Sequence, residues 1–421
     1  MSNEEKLVRM LKYVSEHNDF YKKRIKEYGI TNPLDITQWP VLTRKELQEN
    51  RYNMFSDGYK SKYFNQQLRR QSSSGSTGIP VNVYWDYKDW YASNMCLWRK
   101  RLEWYGIHPY DKYVTFTLHA VGLSNESKSV VNDWLYKINP QNVLSINISL
   151  VHDEIKYNEL LNIIERFDPK WFYIQPFVLE KLIQSYKNCG KRPPENLIYI
   201  ESVGELLPDN TKRLAESFFN VPVVKMYGSE EMNGISYECC SNSLFVLEDN
   251  VYVETNHDGD IQEFGEGGAI ITNLNNHAMP LIRYNQGDKI ILTRPIFKSS
   301  YGCDSKIISK IQGRKLECVI LPNGQELNAF TLLEVVSEVN NSYNDVIKAY
   351  AYEFYSLSNK LICNIYMLPK DFTWLETIQK ALGVTLRSKF TDELCTQFIV
   401  NLMKDSKSYS QKKKILTVVN A

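Results

Sequence analysis

Residues 72–80 read Ser-Ser-Ser-Gly-Ser-Thr-Gly-Ile-Pro, a composition suited to holding phosphate. Gly75 and Gly78 let a backbone turn tightly and approach an anion, while Ser74, Ser76 and Thr77 add hydroxyl donors to the exposed N–H groups. Taken alone, the stretch fits a phosphate cradle and a serine-rich linker equally. It is not a Walker loop, because Ile79 stands where a lysine must follow Gly78. Gly265-Glu266-Gly267-Gly268 is no dinucleotide fingerprint, since no helical pattern follows it. Other segments pair glycine with groups that bind nucleotides or metals: Gly204-Glu205, Tyr227-Gly228-Ser229-Glu230-Glu231, Gln286-Gly287-Asp288 and Gly313-Arg314. Lys412, Lys413 and Lys414 form a short basic tail. Each has an ordinary alternative: a core tyrosine at 227, a solvated acid at 231, a turn at 288, a surface arginine at 314, a solvated lysine run.

The elements that must position these residues follow from periodicity. Val143–Leu150, Trp171–Ile174, Leu197–Ile200 and Val221–Met226 read as strands, and Glu154–Phe167, Phe177–Cys189 and Asn210–Phe219 as amphipathic helices between them. That alternation implies an α/β fold with a parallel sheet, and ligands in such sheets sit beyond the carboxyl ends of the strands. Gly204-Glu205 and Tyr227–Glu231 fall at two of those ends. Residues 1–70 read as helices and loops wrapping something larger, 71–249 as the α/β core, and 250–313 as a small β subdomain with short strands at Val251–Glu254, Ala269–Asn273 and Lys289–Leu292. After Gly313-Arg314 the pattern restarts. A helix at Thr331–Val339, strands at Val346–Phe354 and Leu361–Met367, a helix at Thr373–Lys389 and a strand at Gln397–Leu402 predict a small α+β domain over 314–421.

The composition excludes several classes. Of 421 residues, 43% are hydrophobic and 24% charged, a soluble globular balance consistent with two unequal domains. Fifty basic residues against forty-nine acidic argue against broad binding to nucleic acid or acidic membrane. No stretch is long and apolar enough to span a bilayer, and the N-terminus has no signal-peptide pattern. The eight cysteines lack CxxC spacing, which fits reduced thiols in a cytoplasm.

Together, Ser73–Pro80, Tyr227–Glu231, Pro280–Asp288 and Ile311–Arg314, in that order, resemble the adenylate-forming superfamily, specifically its phenylacetate–CoA ligase and CapK-like branch. Phe20-Tyr21, Pro40–Arg44 and Gly204–Pro208 also match that branch. The resemblance implies a large N-terminal domain over 1–313 and a small mobile C-terminal lid over 314–421 that rotates about Gly313–Glu317. It implies ATP and Mg²⁺ as cofactors, with coenzyme A as one acceptor. Ser74, Ser76 and Thr77, on the backbone turned by Gly75 and Gly78, would grip the β- and γ-phosphates. Gly204 and Glu205 would lie beside the adenine, and Tyr227, with Gly228 and Ser229, would form its platform. Asp288 would hold the ribose, Glu231 the magnesium, and Arg314 the nucleotide near the domain junction. Lys412 aligns with the lysine that reaches the α-phosphate, with Lys414 as competitor.

The sequence departs from the branch at Ile79, Glu230, Gln286, Leu316 and Gln411, where lysine, threonine, threonine, a charged hinge residue and glycine are common. Glu238-Cys239-Cys240 and Cys303 are remnants of a zinc cluster that many relatives carry, and too few ligands remain to expect zinc. His119 reads either as an acyl-pocket residue or as a core histidine. The expected function is activation of a small-molecule carboxylic acid as its adenylate. An acceptor would then take the acyl group: an amine or sugar-linked group in polysaccharide or secondary biosynthesis, or coenzyme A as in aryl-acetate ligases. A nucleotide-binding partner subunit without catalysis is the reading from another class. No nucleic acid or membrane partner is expected, and a homodimer is compatible with the sequence.

Overall fold

The computed structural model describes residues 2–72, 81–117, 128–132, 135–138, 142–147, 154–239, 242–295, 304–314, 318–321, 326–343, 346–367, 369–390, 397–403 and 416–419. The loop at 73–80, His119 and the tail at 412–414 lie outside the described residues. The chain divides into two compact units, residues 1–109 with 224–315 and residues 110–223 with 316–421.

The first unit packs N-terminal helices on an antiparallel sheet. The helix Asn3–His17 starts at a capping box, in which Ser2 accepts the Glu5 N–H and Glu5 returns to the Ser2 N–H. Leu7, Met10, Leu11 and Val14 recur at helical spacing and are buried together. A second box, Thr43 with Glu46, opens the helix Arg44–Asn50. The sheet runs in the order Asp260–Gln262, Val251–His257, Gly265–Asn273, Tyr284–Thr293, Ile307–Arg314, Leu244–Val246, Asn233–Glu238, Val223–Ser229. The strands expected at 251–254, 269–273 and 289–292 are present and longer than their apolar runs.

Arg283 ties the helical region to this sheet. Its guanidinium donates to Glu254 at 2.5 and 3.0 Å and to the carbonyls of Thr37 and Trp39 at 3.1 and 2.9 Å. Arg283 and Glu254 are each 4% exposed. Beside them, the Leu42 N–H bonds the Arg283 carbonyl and the Asn285 N–H bonds the Leu42 carbonyl, both at 2.9 Å. The Tyr21 hydroxyl donates to the Pro280 carbonyl at 2.9 Å and accepts the Ile282 N–H at 3.0 Å. Segments 20–21, 40–44 and 280–285, recognised separately in the sequence, thus form one buried joint.

The helix Tyr87–Tyr105 is not announced by the sequence pattern. Asp86 caps its start and Gly106, at φ 65°, ends it. Its periodicity is weak because apolar residues lie all round: Leu97 and Trp104 are buried, while Tyr87, Tyr91 and Met95 are exposed.

The second unit contains the expected parallel strands. Tyr199–Ser202 pairs with Trp171–Ile174, which pairs with Tyr113–Thr117, which pairs with Val143–Asn147, all parallel. The helices Glu154–Phe167 and Pro176–Asn188 supply the crossovers that parallel strands require. Trp171, Phe172 and Ile174 are fully buried, as a doubly covered strand should be. The hairpin Lys128–Asn132 with Leu135–Ile138 extends the edge antiparallel. The C-terminal part has its own sheet, ordered Phe398–Leu402, Lys360–Met367, Ile347–Tyr355, Leu416–Val419. The helices Ala329–Ser342 and Leu375–Lys389 share its hydrophobic core. Alternation along Lys360–Met367 buries every second residue.

Candidate functional site

The centre of the first unit's site is a tight hairpin. Val223–Ser229 pairs antiparallel with Asn233–Glu238, and Ser229 faces Asn233, leaving Glu230, Glu231 and Met232 as the connection. Asn233 sits at φ 59°, a left-handed conformation that asparagine tolerates. A Cβ on Gly228 would lie 2.4 Å from the Asn233 carbonyl oxygen, so glycine is required there. This corrects one expectation. Tyr227, Gly228 and Ser229 belong to the strand, because the following strand returns to pair with them, and only 230–232 lie beyond its end.

Tyr227 and Ser229, two residues apart, both reach the strand Tyr284–Thr293, which is not adjacent to theirs in the sheet. The Tyr227 hydroxyl donates to Asp288 Oδ2 at 2.7 Å, and the Ser229 hydroxyl to Gln286 Oε1 at 3.3 Å. Asp288 lies opposite Arg314 in the register of Tyr284–Thr293 with Ile307–Arg314. Arg314 is therefore the last residue of a strand, with its backbone beside Asp288.

Glu231 points inward and is 4% exposed. Its carboxylate lies 3.7 Å from Arg44 Nη1 and accepts the Tyr284 hydroxyl at 3.4 Å. Burial, and then the Glu231 charge, push the Tyr284 phenol well above its ordinary range. Glu230 turns the other way and accepts Gln71 Nε2 at 3.2 Å. Glu230 keeps much of its surface in water, yet desolvation by nearby protein is the main cause that raises its acid above the usual range; Gln71 and Arg69 oppose it, and Glu231 adds to it.

Gly204 and Glu205 belong to the second unit. Gly204 adopts φ +80° just beyond the strand Tyr199–Ser202. Glu205 keeps part of its surface in water, yet dense surrounding protein and then the Glu180 carboxylate push its acid up to about 7. The same two carboxylates, after burial itself, raise the phenol of Tyr350. Glu180 is also engaged by the Thr211 hydroxyl.

Of the sequence-predicted site, the structure thus gathers Tyr227, Gly228, Ser229, Glu231 and Asp288 in one unit, with the Arg314 backbone beside them. Gly204 and Glu205 lie in the other. Ser74, Gly75, Ser76, Thr77, Gly78 and Lys412 lie outside the described residues. Sequence reasoning missed Arg44 as the cation facing Glu231, although Arg44 closes the Pro40–Arg44 segment; a buried acid one helix away was the missing datum. It also missed Gln71 and Tyr284. Among the described residues no group of three or more His, Cys, Asp or Glu could hold a metal ion. The Glu231 carboxylate offers one hard oxygen, the kind of ligand Mg²⁺ takes together with phosphate and water. Of the zinc-cluster remnants, Cys239 is buried, while Cys240 and Cys303 lie outside the described residues. No helix among the described residues is long and apolar enough to cross a membrane.

Comparison with known proteins gives a consistent picture. No protein-family model matches the chain. It is 22% identical over 312 residues to a phenylacetate–coenzyme A ligase of Thermus thermophilus, covering 69% of this chain and 65% of that protein. It is 25% identical over 169 residues to a phenylacetate–coenzyme A ligase of Aromatoleum evansii, covering 38% of this chain and 37% of that one. The chain therefore matches less than two thirds of the length of these relatives. In fold it is similar to a 2-hydroxyisobutyryl-CoA ligase solved in its postadenylation state with an acyl-AMP. The TM-score is 0.75 at 15% identity, covering 100% of this chain and 89% of that one.

Proposed function

We propose, from its place in the adenylate-forming superfamily and the phenylacetate–CoA ligase-like branch, that this chain activates a carboxylic acid with ATP. A substrate carboxylate oxygen attacks the α-phosphorus of ATP. The bond from that phosphorus to the bridging oxygen breaks, pyrophosphate leaves, and an acyl-adenylate remains. Such chemistry rests on positioning and charge neutralisation rather than on a protein nucleophile.

The observation that carries this reading is the 2.7 Å bond from Tyr227 to Asp288. It joins two segments 61 residues apart, each matched independently to a nucleotide-binding motif. Asp288 accepts the ribose hydroxyls, and the Tyr227 ring, fixed through its own hydroxyl, serves as the adenine platform. Glu231, steadied by Arg44, offers an oxygen to Mg²⁺, which neutralises phosphate charge when bound. By the resemblance, Gly204 and Glu205 are assigned to the adenine, Arg314 to the nucleotide, and Ser74–Gly78 to the pyrophosphate end. Lys412 brings a cation to the α-phosphate. The 314–421 segment acts as the mobile lid.

Coenzyme A is the leading acceptor, as the names of the relatives suggest. An amine or sugar-linked acceptor in polysaccharide or secondary biosynthesis is the second, motivated by Glu230, Gln286 and Gln411. Carboxylate-dependent exchange of labelled pyrophosphate into ATP, across a panel of aryl and short acyl acids, tests the first half-reaction. Exchange with at least one acid is expected. ATP binding without exchange on a broad panel would favour the non-catalytic partner subunit. Adding coenzyme A, then hydroxylamine or amines, to the active mixture sorts the acceptors by product.

A further inference from the structure

Glu230 is a departure from the branch that the proposed nucleotide chemistry does not use. Its surroundings are specific. Arg69–Ser72 and Asn82–Trp85 form a separate two-stranded ribbon that flanks the serine–glycine loop in sequence. Two strands alone are marginal in water and need anchoring. Arg69 and Gln71 alternate onto one face of this ribbon. The Gln71 amide donates to Glu230 at 3.2 Å and to Asn233 Oδ1 at 3.0 Å, gripping both ends of the 230–232 connection. Asn233 in turn donates to Ser93 Oγ at 2.9 Å, and Ser93 to Asn250 Oδ1 at 2.7 Å. Asn250 is fully buried and holds the carbonyls of Met232 and Gly234 at 2.9 and 2.7 Å. The Arg69 guanidinium lies over the Trp90 ring at 4.0 Å and contributes opposite charge to Glu230. The connection is therefore rigid from below, and the ribbon meets it through Gln71.

We propose that Glu230 is a positioning residue: by accepting the Gln71 amide it fixes the strand Arg69–Ser72 against the hairpin that carries Tyr227 and Glu231. A threonine there, as is frequent in the branch, offers a shorter hydroxyl and no charge for Arg69. Where a relative's threonine serves phosphate directly, this chain uses the position to hold the ribbon. The inference rests on the nucleotide-site reading only for its effect on ATP.

Two readouts separate the inference from that reading. Hydrogen exchange of the backbone amides in Arg69–Ser72 and Asn82–Trp85 reports the anchor without any catalysis. Titration of ATP reports its consequence. Glu230→Ala and Gln71→Ala should each speed exchange in both strands while leaving Val251–His257 unchanged. Each should weaken ATP binding by about tenfold, as expected for loss of a hydrogen bond to a charged group. The double variant should be no more than about twofold worse than Gln71→Ala, because Gln71→Ala already removes the Glu230 bond along with the bond to Asn233. Glu230→Gln keeps an acceptor and should retain slow exchange; Glu230→Thr should not. Unchanged exchange in both alanine variants, or fully additive losses, would overturn the anchor. If the wild type fails to bind ATP while the alanine variants still speed exchange, the nucleotide reading fails and the anchor stands.

Discussion

Glu231 in the first unit and Glu205 in the second are both acids read from nucleotide-binding motifs, and their surroundings differ in kind. Glu231 is buried against Arg44 and accepts a tyrosine hydroxyl. Glu205 faces another carboxylate, Glu180, and its acid rises to about 7. Both were read from short glycine–acid motifs that look alike in the sequence. Their difference comes from partners supplied by distant segments, a helix start at residue 44 in one case and a helix residue at 180 in the other. Partner identity, more than burial alone, decides whether a desolvated acid keeps its charge. The first unit repeats the paired solution in Arg283–Glu254.

The most severe way to break this contrast is to unpair an acid in the first unit. Arg283→Ala would leave Glu254 buried, charged and without its guanidinium, beside carbonyls of Thr37 and Trp39 that lose their donor. A loss of about 3–5 kcal/mol is expected, seen as a lower urea midpoint by tryptophan fluorescence. Arg283→Met combined with Glu254→Leu should recover most of it, since an apolar pair leaves no stranded charge. A single-variant loss below about 1 kcal/mol would mean that Glu254 tolerates isolation as Glu205 tolerates Glu180.

A smaller effect bears on ligand binding. Asp288→Ala removes the group assigned to the ribose and should weaken ATP by about tenfold or more, the range for a charged hydrogen-bond partner. Tyr227→Phe keeps the ring and removes only the 2.7 Å bond to Asp288. It should cost about 0.5–1.5 kcal/mol in ATP affinity by calorimetry. Equal losses in the two variants would shift the role from the carboxylate to the hydroxyl.

Much of this was legible in the sequence, and the reason differs by element. Strands such as Trp171–Ile174 and Lys360–Met367 announced themselves because burial on two faces, or on alternate residues, leaves a plain pattern. Tyr87–Tyr105 did not, because its apolar residues surround the helix. Strand ends were misplaced at 227–229, because the returning strand that extends the ladder is invisible to local periodicity. The site motifs named Glu231 and Asp288 but not the contacts that set their state. Arg44 and Tyr284 meet Glu231 only after chain segments far apart in sequence converge. Glu230 looked like a mere departure until Gln71, 159 residues earlier, was found to hold it.

The smallest expected effect sharpens the other side of the contrast. Glu205 has an acid near 7 in the folded chain against an ordinary value of 4.5. Well below 4.5 both states carry the proton, and well above 7 neither does. Between these values the folded state binds more protons, so this group's contribution to stability falls as pH rises. Glu205→Gln cannot ionise beside Glu180. Its thermal midpoint should match wild type near pH 5 and exceed it by about 1–2 °C at pH 8, a modest gain because water still reaches the carboxyl. Glu231→Gln should give no gain at either pH, since it removes the charge that Arg44 meets. A wild-type-to-Glu205→Gln difference that stays flat across this range would show that Glu205 is accommodated as an ion despite Glu180, and the contrast between the two units would then be one of geometry alone.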